Sequence, residues 1–274
     1  MADKARDNDP RSEVSKKRDL ISRGNYTPTP AGKALFFTLR ALDPFLQYSI
    51  LAHGIGTSLL NCVGLRTLPP GLPAQTGIPV VDNLGVSPYR LILLGMSVGS
   101  AVKHNIWVTA LSAESMSLSS AIVVGVFNTV MNGLNSYAFL LSATSASKAS
   151  DSTFPQAPLI VGSALYITGI LIELIAEFQR KRFKSDPKNK GRPYTGGLWS
   201  FARHINYGAY SLWRAGYAAA AGGWLWGSII GAFFFTDFAT RGVPILNEYC
   251  EKRYGEDWQR FKKQTKWRLF PGIY

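Results

Sequence analysis

Long uncharged apolar runs, separated by short polar breaks, constrain this 274-residue chain more than any other feature. A helix needs about 20 residues to cross the hydrocarbon core of a bilayer. Six stretches reach or approach that length: Phe45–Val63, Tyr89–Leu111, Leu118–Ser142, Pro158–Phe178, Tyr207–Gly223 and Leu225–Val243. The last two are joined so tightly that they are expected to form a hairpin. The expected fold class is therefore all-α, a polytopic membrane helical bundle of about six transmembrane helices with a cytosolic C-terminal amphipathic segment. Gly95-x-x-x-Gly99 and Gly227-x-x-x-Gly231 are candidate points of close helix approach, because small residues let backbones meet where lipid removes the hydrophobic drive.

Charge orients the bundle. The chain carries 30 Lys and Arg against 17 acids, a net charge of +13. Such an excess suggests nucleic acid or an anionic membrane surface as partner. Here the positive charge falls in blocks between uncharged runs, which favours the bilayer and excludes nucleic acid. The blocks lie at Lys16–Arg40, Arg180–Arg192 and Lys252–Arg268, while the loops 64–87 and 144–157 hold only Arg66 and Lys148. Basic loops stay cytosolic. Four crossings and then two satisfy that rule, so both termini and the loop 180–203 are expected in the cytosol.

Residues 1–40 are polar and basic and lack an apolar core, so no cleavable signal peptide is expected. The tail reads as disordered. Asn25-Tyr26-Thr27 is a formal glycosylation sequon that a cytosolic tail would leave unused. Cys62 and Cys250 are too few for a disulfide framework and fall on opposite sides of the expected topology.

Polar groups at membrane depth mark the places where chemistry is possible, since they are costly there. Lys103 and His104 lie in the second run. Asn128, Asn132 and Asn135 follow at helical spacing in the third, and can either line a substrate site or bond helices together. Glu173, Glu177 and Arg180 share a face at the end of the fourth run, and Glu248 lies past the sixth. The stretch Gly197 to Tyr207 gathers Trp199, Phe201, Arg203, His204, Asn206 and Tyr207 at the mouth of a membrane helix. This collar suits a charged, ring-bearing ligand or an interfacial aromatic belt. Arg203 and Arg268 offer planar forks for an anion, and Trp199, Tyr207 and Trp258 offer stacking faces. The three histidines are scattered and no zinc spacing is present, so no metal is expected. Neither a dinucleotide-binding G-x-G-x-x-G nor a phosphate-binding G-x-x-x-x-G-K-[ST] occurs.

Gly197-Leu-Trp199, Arg203-His204 and Asn206-Tyr207 resemble the G-L-W-x-x-x-R-H-P-N-Y signature of a membrane superfamily. It includes the steroid 5-alpha-reductases, sterol reductases, isoprenylcysteine carboxyl methyltransferases and DUF1295 proteins. Glu173, Ala176-Glu177 and Gln179 are similar to the lead-in of the DUF1295 branch. Tyr254-Gly-Glu-Asp-Trp258 and Arg268 through Tyr274 are similar to the sterol reductase tail. Ile205 stands where the signature has Pro, and Tyr210 where a Glu is usual.

The resemblance implies three regions: a tail, 1–40; membrane helices on the substrate side, 41–179; and a cofactor side, 180–274, comprising the basic loop, the hairpin and the C-terminal segment. It implies a cofactor held by Glu173, Glu177, Gln179, Trp199, Arg203, His204, Asn206, Tyr207, Glu248, Trp258 and Arg268. A lipidic substrate would then meet Lys103, His104, Asn128, Asn132 and Asn135. The reductase-like tail and the cationic rim put NADPH first. The expected activity is reduction of a carbon–carbon double bond in a sterol-, polyprenyl- or fatty-acyl-like substrate, with Tyr207 or Tyr254 as proton donor. The alternatives are methyl transfer from S-adenosylmethionine and a non-catalytic protein that keeps the fold. Among the internal membranes, the resemblance implies the endoplasmic reticulum.

Overall fold

The computed structural model describes residues 9–19, 21–148 and 154–274. Residues 1–8 of the expected disordered tail and 149–153 of the loop 144–157 lie outside the described residues. Ten α-helices run in the order α1 Glu13–Arg18, α2 Pro30–His53, α3 Thr57–Cys62, α4 Pro79–Asp82, α5 Pro88–Ile106, α6 Leu118–Leu140, α7 Ala157–Ser185, α8 Ile205–Asp237, α9 Val243–Tyr254 and α10 Glu256–Gln264. Short π turns extend α5 and link α8 to α9. The described residues form a helical bundle with no strand beyond one isolated bridge, Thr67–Leu141.

By length and composition, four helical stretches can cross a membrane: Pro88–Leu111, Leu118–Leu140, Ala157–Ser185 and Ile205–Tyr254. The expected count of six is not reached on that measure. Two features account for the difference. The first expected span, Phe45–Val63, is not one helix. Instead α2 starts at Pro30, keeps Pro44 inside it, and stops at Gly54, whose φ of 64° turns the chain. Its charges face inward, with Arg40, Asp43 and Gln47 all at 1% exposure or less, so the segment is less apolar than its burial requires.

The second feature is that α8 is a hairpin. Gly222 and Gly223 leave helical geometry, Gly223 with φ 75°, where only glycine is unstrained. A straight helix would set Tyr210 and Phe234 about 36 Å apart at 1.5 Å per residue. Their rings are 5.2 Å apart, and Tyr207 stacks on Phe238 at 4.5 Å. The chain therefore doubles back, with a first arm 205–221 and a second arm 224–237, as the sequence leads one to expect.

The tightest seam joins α7 to the first arm. A Cβ on Gly162 would meet Gly216 O at 2.5 Å, and one on Gly169 would meet Trp213 N at 2.6 Å. Backbones touch there. Of the glycine pairs picked from sequence, Gly227 does approach Ala219, whereas nothing lies within 4 Å of a Cβ at Gly95. Around the seam pack Tyr166, Trp213, Tyr217, Leu93 and Leu159, the largest buried cluster.

Sidedness has a direct check. With Cys62 and Cys250 replaced, single cysteines at Lys188 and Ser147 should react with an impermeant reagent from opposite faces of sealed vesicles. Reaction of both from one face would overturn the expected orientation.

Candidate functional site

The collar between α7 and α8 is built from the backbone outward. Gly197 has φ 55°, and a Cβ there would sit 2.4 Å from Gln179 Oε1. That oxygen accepts from Leu198 N at 2.9 Å, so Gln179 shapes the loop and faces neither cavity described below. Trp199 Nε1 donates to Ala176 O at 2.8 Å, pinning the ring to α7. The C-terminal segment folds back on the collar. Arg203 N donates to Trp267 O at 3.0 Å and His204 N to Arg268 O at 2.8 Å. Gly208 leaves space for Leu269 O, which a Cβ would approach to 2.2 Å. Ile205 occupies the first turn of α8 and its N–H bonds Ala202 O at 3.2 Å. A proline is favoured at that position because the N–H has no helical partner; Ile205 keeps the turn by using it.

Two cavities meet beneath this collar. The outer one, about 870 Å³, is lined by Tyr194, Trp199, Arg203, His204, Tyr249, Tyr254 and Trp258, with basic residues of α7 and the loop around its rim. The inner one, about 520 Å³, has walls of Phe36, Trp107, Phe127, Phe233, Phe234 and Phe238. Its polar end holds Lys103, His104, Asn128, Glu173 and Tyr210. Arg23, Trp107, Glu177, Arg180 and Leu246 line both. Glu177 is the one carboxylate common to the two among the described residues, and it is firmly held. Arg180 Nη2 donates to its Oε2 at 2.5 Å and Asn206 Nδ2 to its Oε1 at 2.9 Å.

Buried polar atoms without protein partners are candidate ligand contacts, since such atoms are costly if left unpaired. Both ring nitrogens of His204 are unpaired, as are Asn206 Oδ1, Arg203 Nε and His104 Nδ1. His204 is 1% exposed and lies between Tyr207 and Trp258. Burial, then the guanidiniums of Arg203, Arg268, Arg180 and Arg23, push its pKa down to about 3. The ring is therefore neutral, with one nitrogen to donate and one to accept. His204 and Arg203 line the outer cavity, and Asn206 and His104 the inner one.

The other residues singled out in the sequence divide clearly. Tyr207 lines the inner cavity, and its hydroxyl accepts from Arg23 Nη2 at 3.3 Å. Tyr254 lines the outer one and accepts from Lys184 Nζ at 3.1 Å. Lys103 and Glu173 form a buried ion pair, and Trp213 Nε1 donates to the same carboxylate at 2.8 Å. Asn128 reaches the inner cavity, but Asn132 and Asn135 do not. Asn132 donates to Asp43 Oδ2 at 2.6 Å and accepts from Arg214 Nη1 at 3.0 Å, while Asn135 accepts from Trp226 at 2.9 Å. They bond helices together. Neither cavity takes in Arg268 or Glu248. Arg268 Nη1 donates to Tyr274 at 2.8 Å, and Glu248 binds the N-terminal segment. Arg203 reaches the outer cavity, but its Nη1 is engaged by the carbonyls of Thr265 and Lys266.

Some residues at or behind the cavities are not evident from the motifs. Arg214, the only charge between Ile205 and Thr236, donates from Nη2 to the Tyr210 hydroxyl at 3.0 Å and also bonds Asn128. A lone arginine in an apolar run was the available signal. Tyr210, at the position of the missing Glu, lines the inner cavity. Its ring lies under Lys103 Nζ at 5.1 Å and its hydroxyl donates to Asn128 at 3.1 Å. No signal in the sequence indicates Arg23.

Taken together, the fold and the cavities define a helical membrane protein in which a basic, aromatic outer cavity adjoins an inner cavity with mostly aromatic walls. The chain belongs to the DUF1295 family, a family of unknown function, which it matches over residues 103–265. It is 42% identical over 256 residues to the probable O-methyltransferase ustE of Ustilaginoidea virens, covering 92% of this chain and 89% of that protein. It is also similar to Delta(14)-sterol reductases, 27% identical over 164 residues to that of Neurospora crassa and 32% over 129 residues to erg24 of Schizosaccharomyces pombe. These matches cover 42% and 40% of the chain, and only 33% and 29% of the reductases.

Proposed function

We propose that the chain is a membrane methyltransferase that moves a methyl group from S-adenosylmethionine to a hydroxyl of an apolar substrate. On sequence alone hydride transfer comes first; likeness to a probable O-methyltransferase along nearly the whole chain, substrate half included, reverses that order. The observation that carries the reading is Glu177, a carboxylate placed where the two cavities meet. A hydroxyl becomes a nucleophile when its proton is taken as it reacts. Glu177, held by Arg180 and Asn206, is a fixed acceptor at that point. The aromatic walls of the inner cavity orient the apolar body of the substrate, and proximity supplies most of the rate. His204, Asn206 Oδ1 and Trp258 would hold the cofactor, which when bound supplies an electrophilic methyl group.

In this reading residues 180–274 form the cofactor side and 41–179 most of the substrate side. The bilayer delivers a lipidic substrate, and the protein resides in the endoplasmic reticulum with both termini cytosolic.

One observation favours the reductase reading. Arg23, Arg180, Lys181, Lys184, Lys190, Arg203 and Arg253 line the outer cavity, a surplus suited to the phosphates of NADPH. Tyr207, beside Arg23, would then be the proton donor.

A melting assay on detergent-purified protein separates the two. A ligand that binds only the folded state adds about 2.7 kcal/mol at a hundredfold excess over its Kd. S-Adenosylmethionine should raise the melting temperature clearly, and NADPH little. The opposite ranking would move the protein to the reductases. Protection by neither, with a sharp transition retained, would mean a fold kept without its chemistry.

A further inference from the structure

The described residues between Asp9 and Thr29 are short of apolar side chains, yet they cross the mouth of the inner cavity and are held there by charge. Arg18, Asp19, Ile21 and Arg23 line the cavity. Arg23 pairs with Asp19 at 3.1 Å and Glu114 at 3.5 Å, and Arg241 Nη1 donates to Arg18 O at 3.3 Å. At the outer end of this strap, Glu248 takes several hydrogen bonds from it. Ser12 N donates to it at 2.8 Å, the Ser12 hydroxyl at 3.3 Å, and the Ser15 hydroxyl donates to the same group. Glu248 is also paired with Lys252 at 2.9 Å.

The geometry points to Ser15 as a phosphorylation site whose modification releases the strap from the cavity mouth. A hydroxyl that donates to a carboxylate is a contact that phosphate reverses. The donor is lost, and a group of about −1.5 to −2 charge faces Glu248. The two serines differ in this respect. Ser12 caps α1 by accepting from Ser15 N at 3.3 Å, a position where added negative charge suits the helix N-terminus. Ser15, at the end of the first turn of the same helix, keeps part of that benefit but presents its hydroxyl to Glu248. Both are at least partly accessible, and Lys16-Lys17-Arg18 follow directly, a basic context that kinases can read. In the transfer, Ser15 Oγ bonds to the γ-phosphorus of ATP, the bridging bond to the β-phosphate breaks, and ADP and the hydroxyl proton leave. Release would uncover the side of the inner cavity that Arg18 to Arg23 close.

The test reads the strap itself and needs no cofactor or substrate, so it stands apart from the choice of chemistry. Intact protein in detergent is given limiting trypsin, and release of the N-terminal peptides ending at Lys16 to Arg18 is followed by mass spectrometry. Cleavage there requires local opening. Loss of a hydrogen bond to a charged group speeds opening by about tenfold, so Ser15→Ala should be cut faster than wild type. Ser15→Asp should be cut several times faster again, and Ser15→Asp with Glu248→Lys should return to the wild-type rate or below. Treatment of wild type with ATP and a basic-directed kinase of the protein kinase C type should place phosphate on Ser15 and reproduce the fast cleavage. Equal rates for Ala and Asp, no rescue by Glu248→Lys, or phosphate on Ser12 alone would each overturn the proposal.

Discussion

Glu177→Gln should abolish methyl transfer while leaving cofactor binding in place. Removal of a positioned acid or base costs about 10²- to 10⁴-fold, and an amide cannot take a proton. The amide still accepts from Asn206, so the collar should keep its shape. The measurement is transfer of a labelled methyl group into apolar products of a membrane extract, beside the melting shift given by S-adenosylmethionine. Activity within a few fold of wild type would sink the assignment of Glu177. Loss of both readouts would mean that Glu177 holds the cofactor and does not take the proton. Glu173, already paired with Lys103 and bonded by Trp213, should respond differently, with Glu173→Gln harming folding as well as activity. A buried cation left unpaired is strongly destabilising.

Gly169→Leu should prevent the bundle from forming. The new Cβ would fall 2.6 Å from Trp213 N and 2.7 Å from Ala209 O, backbone atoms that cannot swing aside as a side chain can. Overpacking costs about 1–3 kcal/mol where side chains can adjust; here two helices must part, so the loss should exceed that range. Gly95→Leu is the control, because its Cβ would meet nothing within 4 Å. Detergent-extracted Gly169→Leu should elute aggregated, and Gly95→Leu as wild type with an unchanged melting temperature. Wild-type behaviour of both would mean that the seam between α7 and α8 is looser than its distances.

Much of the bundle was legible because apolar runs are. The spans near 88–111, 118–140 and 157–185 needed only length and hydropathy, and the tight join of the last two apolar runs announced the hairpin. The site was partly legible. Glu177, His204, Asn206 and Tyr207 do converge, since the collar is local in sequence and its motif fixes their spacing. Other placements depended on contacts that no spacing reveals. Asn132 and Asn135 share a face with Asn128, but Asp43, Arg214 and Trp226 tie those two into helix–helix bonds, and Asn128, which lines the inner cavity, is itself bonded by Arg214 and Tyr210. The strap was invisible because charge, and not apolar pattern, holds it: Arg11 pairs with Asp9 at 2.6 Å and Asp19 at 2.7 Å. Composition alone reads such a segment as unstructured.

The inward charges of α2 bear on how the protein is made. Arg40 pairs with Asp43 at 3.1 Å, and Asp43 accepts from Gln47 and from Asn132 of α6. Arg40 also donates to Thr129 at 2.9 Å. Each charge at a helix centre costs about 2.5–3.5 kcal/mol when a segment enters the bilayer alone. The partners on α6 are synthesised 89 residues later, the separation of Asp43 and Asn132. During translation α2 therefore has its internal pair but lacks the α6 partners of Arg40 and Asp43. It should wait at the interface or beside the insertion machinery until α6 emerges, which makes the first long helix of the chain among the last to settle.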